Sequence, residues 1–85
     1  MLNIGHNAIV MPGKVLAILP WGSAPIKAIK KTAKESNNFI DATYGKPTRS
    51  LIIMSEDVVI GSSVLSDTLK DRLKDSQHKL RQPDP

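Results

Sequence analysis

No cysteine occurs in the 85 residues, so neither a disulfide nor a thiolate metal site can staple the fold. Aromatic residues are almost as scarce. Trp21, Phe39 and Tyr44 are the whole set, and large rings are what usually fill a small core. Long hydrophobic runs are missing too. The longest, Val15–Pro20, falls far short of the ~20 residues a membrane span needs. The opening Met-Leu-Asn-Ile-Gly-His has no basic segment leading into an apolar run. It does not read as a signal peptide, so a cytoplasmic location is expected.

Catalytic and cofactor patterns are also lacking. The two histidines, His6 and His78, lie far apart in sequence. Ser62 and Ser63 sit in no nucleophile-elbow pattern, and a nucleophile needs a base within hydrogen-bond reach. Two histidines and scattered acids give no metal-ligand spacing. Neither glycine-rich phosphate motif occurs. Gly22-Ser23 offers free N–H groups to an anion, but a plain helix cap accounts for it as well. No enzyme activity, cofactor or metal is expected.

What remains is a small soluble domain, 40% apolar and 24% charged. One domain fits this length. It buries only roughly 60–65% of its unfolded surface, so subunit contacts are an expected source of stability. Leu2–Met11 alternates loosely, with His6 placed as a half-buried strand residue. Pro12-Gly13 signals a turn, and Lys14–Leu19 reads as a buried strand paired back in a hairpin. Ser23 suits the cap of a helix running to about Ser36, with Pro25 in its first turn. Ile26, Ile29 and Ala33 form its core face. Phe39–Ala42, Ser50–Ser55 and Asp57–Ile60 read as strands, the last two joined by a tight turn at Glu56-Asp57. A second helix is expected over about Ser66–Gln77, with Ser66 as cap. Leu65, Leu69, Leu73 and Leu80 line one side of it, facing either the sheet or another subunit, and His78 is placed in solvent near its end. The whole is α+β: a small, mostly antiparallel sheet of about five strands, a central helix and a C-terminal helix. The domain is taken as 1–78, and 79–85 as a frayed tail.

The net charge of +4 is unevenly spread. Residues 1–49 hold seven basic groups against Glu35 and Asp41, a balance of +5, and residues 50–85 hold five against six, a balance of −1. Lys27, Lys30, Lys31 and Lys34 share the outer face of the first helix. They are either a solvated surface or a secondary polyanion contact. Lys14, in the first turn, and Lys46 and Arg49, in the loop 44–49, are expected to project from a sheet end, where loops carry function. Tyr44 suits either a stacking contact or a hydrogen-bonded core position. Trp21 suits stacking too, or packing at a subunit contact.

Three segments carry a resemblance: Asn3-Ile4-Gly5, Ser23-Ala24-Pro25-Ile26-Lys27, and Ile40-Asp41-Ala42-Thr43-Tyr44-Gly45 followed by Lys46, Thr48 and Arg49. Over about residues 2–75 the chain resembles the RemA family of bacterial regulators. The resemblance implies a small DNA-binding protein, related to LytTR-type domains, that activates extracellular-matrix (biofilm) genes. It implies a homo-oligomeric closed ring that binds double-stranded DNA through many weak basic contacts. It points to Lys14 in the first hairpin region and to the residue after Gly45, Lys46. The family pattern has a basic pair where Lys46-Pro47 stands here. Lysine is a point charge without the two-point fork of arginine, and proline brings neither charge nor N–H. Phosphate contact is retained in that pattern, while base readout loses its best geometry. The alternative is an oligomeric interaction module whose basic face meets an acidic protein.

Overall fold

A computed structural model describes residues 1–6 and 8–81, with 76–81 described by backbone alone. Among the described residues there are six strands and two helices. β1 (Leu2–Gly5) and β2 (Ala8–Val10) form a hairpin of their own. A 3₁₀ turn at Pro12–Lys14 leads into β3 (Val15–Pro20), then α1 (Ala24–Glu35) and β4 (Phe39–Asp41). β5 (Ser50–Met54), a second short turn at Ser55–Asp57, β6 (Val59–Ser62) and α2 (Ser66–Arg81) complete the chain.

The main sheet has the order β3-β5-β6-β4. Only the β4–β6 pair is parallel. β5 and β6 are central, which explains why Ser-Leu-Ile-Ile-Met is apolar without alternation. Leu51 and Ile53 face α1, with Leu19, Ile26, Ile29, Ala33 and Val59. Ile52 and Ile60 face the opposite layer, where Leu2, Ile4 and Leu69 of β1 and α2 cover them. Gly61 is needed at its place in β6, because a Cβ there would sit 2.8 Å from Cζ of Phe39.

Fold class, helices and most strands match expectation; several local expectations do not. Leu2–Met11 is two strands around a turn, not one. Its partner is itself, since β3 pairs with β5. The expected hairpin across Met11–Lys14 is therefore absent. The chain reverses direction after Gly5-His6, and Pro12, buried in the 3₁₀ turn, redirects it to the other sheet. His6 lies in the β1–β2 turn at φ 51°, exposed rather than half-buried in a strand. Ser23 holds the cap position of α1 with extended backbone, but its side chain makes no cap bond. Ser66 is the first residue of α2, and the Leu65 carbonyl accepts from Leu69 N–H at 3.1 Å. β6 begins two residues later than expected. Glu56 and Asp57 both take left-handed backbone, φ 65° and 63°, and so use up the first part of that segment in the turn. Leu69 is fully buried and Leu73 packs against the same core, so that side of α2 is intramolecular, while Leu65 is exposed. The side chains of His78 and Leu80, and residues 82–85 of the expected tail, lie outside the described residues. No described helix is long and apolar enough to cross a membrane.

Two buried hydroxyls tie the layers together. Ser62 Oγ donates to the Ile4 carbonyl at 2.6 Å and accepts from Val64 N–H at 3.0 Å. Ser62→Ala leaves both backbone groups unpaired inside the protein. Urea unfolding of this variant should show a loss of about 2 kcal/mol; a loss near zero would mean water replaces the hydroxyl.

Candidate nucleic-acid interface

β3, β4 and β6 run in one direction, so their carboxyl ends share one end of the sheet. Both helices start there, α1 after Pro20 and α2 after Ser62. Their N-termini each carry roughly half a positive charge. The loop between β4 and β5, residues 42–49, closes the same end.

That loop is anchored at both ends. Asp41 Oδ1 accepts from Thr43 N–H at 2.9 Å and from Thr43 Oγ1–H at 2.6 Å. Lys46 N–H then donates to the Thr43 carbonyl at 3.1 Å. Tyr44 and Gly45 both have positive φ, 53° and 84°. The glycine takes this readily, and the tyrosine is held there at a cost. At the exit, Arg49 N–H donates to the Ser62 carbonyl at 2.8 Å, and Trp21 N–H donates to the Arg49 carbonyl at 3.2 Å. The backbone is thus fixed while Lys46, Pro47 and Arg49 project into solvent.

The electrostatics follow the geometry. The Thr43 hydroxyl, then the Thr43 amide, hold the Asp41 carboxyl below its ordinary pKa of 3.8. Partial desolvation opposes this, and the Lys30 and Lys34 ammonium groups add to the lowering. The carboxylate is spent inside the loop, which leaves the outward charges of Lys46 and Arg49 without a carboxylate partner among the described residues.

The expected site residues separate into three places. Lys46 and Arg49 share the loop. Lys14 lies at the opposite end of the sheet: it precedes Val15, which pairs with Met54, whereas Arg49 precedes Ser50, which pairs with Pro20. Roughly 17 Å of strand lies between those two positions. The expectation that all three cluster at one sheet end fails, because β3 pairs with β5 instead of β2. Lys27, Lys31 and Lys34 are exposed on α1. Lys30 is half-buried, with Nζ 5.0 Å from the Trp21 ring centre and 5.4 Å from that of Phe39. Trp21 packs within its own chain against the α1 core.

Tyr44 is 68% exposed, which settles its place outside the core. Its ring lies 5.0 Å from that of His6, tilted by 46°. This ring pair went unseen in the sequence; the Tyr-Gly step signalled the turn, and nothing signalled the distant histidine. Among the described residues, no three histidine, cysteine or carboxylate side chains group as a metal site.

Comparison with known proteins identifies the family. The family model for RemA-like, extracellular matrix regulatory protein A-like, sequences matches residues 1–73. A Desulfotalea psychrophila protein named "Putative regulatory protein" is 42% identical over 74 residues, 87% of this chain and 66% of its own length. A Geobacillus kaustophilus protein of the same description is 44% identical over 72 residues, covering 85% of this chain and 83% of the relative. One from Finegoldia magna is 42% identical over 78 residues, 92% and 94% of the two chains.

Because the Asp41 pKa is lowered on folding, the Asp41–Thr43 turn is fully held above the ordinary value of 3.8 and released as pH falls through the lower folded value. The Thr43 amide, followed by NMR, should move in one acid-side transition. Asp41→Asn should abolish that transition. A Thr43 signal that ignores Asp41 would contradict the turn.

Proposed function

The chain belongs to the RemA-like family, and from that premise we propose that this regulatory protein binds double-stranded DNA through the carboxyl end of its sheet. The observation that carries the reading is the convergence of Lys46, Arg49 and two helix N-termini on one anchored loop. Fixed cations and open N–H groups at one end suit phosphate oxygens. Tyr44, exposed beside them, offers a flat contact to sugar or base. Lys27, Lys31 and Lys34 widen the positive field on the neighbouring face. Contact is mainly to phosphate, since Lys46-Pro47 lacks an arginine fork for guanine.

One subunit supplies few contacts, so affinity comes from repetition. β3 and β4 are the two open edges of the sheet. Each carries an exposed apolar side chain, Leu16 at 69% and Ile40 at 53%. The two edges differ, so their contact is head-to-tail and a closed ring is its natural product. The family name supports extracellular-matrix (biofilm) genes as targets; activation in the cytoplasm completes the proposed reading.

Mobility shifts of duplex DNA across a salt series test the site. Lys46→Ala with Arg49→Ala should weaken binding and lower the salt slope by roughly two. An unchanged slope would remove both residues from the interface. Light scattering should show one species several-fold heavier than the monomer, and a monomer would contradict the ring. A stable oligomer that shifts no duplex even at low salt would turn the reading to an acidic protein partner.

A further inference from the structure

Beside the loop lies a cleft of about 600 Å³ lined by Trp21, Lys30, Pro47, Thr48, Arg49 and Leu65. Its size is in the range of small-ligand sites. Part of the lining is apolar: the Trp21 indole, the Pro47 ring and the exposed Leu65 side chain. The rest includes two cations, the Lys30 ammonium and the Arg49 guanidinium. Among the described residues neither is in an ion pair.

Lys30 touches both parts of the lining. It is the one half-buried lysine of the α1 face. Its Nζ lies over the Trp21 ring and 3.4 Å from Thr48 Oγ1, a long and weak contact. An ammonium parked on a ring is a weakly held charge with donors to spare. An anion entering the cleft draws Lys30 off the indole and uncovers the ring face that the ammonium had shielded. A flat group attached to that anion then has a surface to stack on.

We propose that this cleft binds a single nucleotide unit, its phosphate on Lys30 and Arg49 and its base against Trp21. The site goes beyond duplex binding and shares only Arg49 with it. A free nucleotide and an exposed nucleotide of a single strand present the same chemistry.

Trp21 is the only tryptophan, so its emission reports on the cleft directly. Titration with AMP should give a saturable emission change. Adenosine alone and inorganic phosphate alone should act at least roughly tenfold more weakly, because each satisfies one part of the lining. Lys30→Met keeps the packing stem and removes the charge, and should weaken the AMP response about tenfold. An equal response to adenosine or to phosphate, or a Lys30→Met protein that responds as the parent does, overturns the proposal. Single-stranded oligodeoxyadenylate saturating below AMP identifies a strand as the source, and the reverse order identifies a free nucleotide. Lys46→Ala, outside the cleft, should leave the AMP response intact whatever becomes of duplex binding, so the two readings fail separately.

Discussion

Two serine hydroxyls buried in the central strands hold the end of the molecule where its function is placed. Ser50 and Ser62 stand opposite each other in β5 and β6, both fully buried. Ser50 Oγ donates to the Val64 carbonyl at 2.8 Å, while Ser62 serves Ile4 and Val64 N–H. These bonds fasten the β1–β2 hairpin and the segment leading into α2 to the sheet. Inside a thin core, polar groups so engaged are specific as well as stabilising, since any other arrangement leaves them unpaired. The position of α2, the reach of His6 to Tyr44 and the exit of the 42–49 loop at Arg49 all follow from this clamp.

The shared direction of β3, β4 and β6 gives the molecule two unlike ends. At the carboxyl end of β3, β4 and β6 lie two helix N-termini, Lys46 and Arg49. At the other end lie the Glu56-Asp57 turn, the C-terminus of α1 with Glu35, and Lys14. A net charge of +4 is modest, but this arrangement sets exposed cations and helix N-termini together at one end, which the proposed DNA contact draws on.

Much of this was legible in the sequence, and the reasons differ by element. α1 announced itself through Ser23, Pro25 and the spacing of Ile26, Ile29 and Ala33. β5 announced itself because a strand buried on both faces has no alternation to hide. The loop was visible as a run of turn formers with Lys46 and Arg49 in it. What sequence order could not show was strand pairing. Lys14 follows a turn, and adjacency suggested a hairpin, yet β3 finds β5 across the chain and carries Lys14 to the far end. Nor could spacing show that Lys30 turns inward to Trp21 and Lys34 leans over Phe39 while Lys27 and Lys31 stay in solvent, because that depends on where Trp21, Phe39 and Thr48 arrive. Tyr44 was undecided between core and surface until the positive φ, fixed by Asp41 and Thr43 behind it, turned it outward.

The central claim is that DNA meets the carboxyl end of the sheet. Hydrogen exchange of the intact protein, with and without duplex DNA, tests it most directly. Slowed exchange should gather at Thr43–Arg49, at Gly22-Ser23 and at Ser63–Ser66, with the Glu56-Asp57 turn unchanged. Protection confined to the outer face of α1, or centred on Glu56-Asp57, would contradict it.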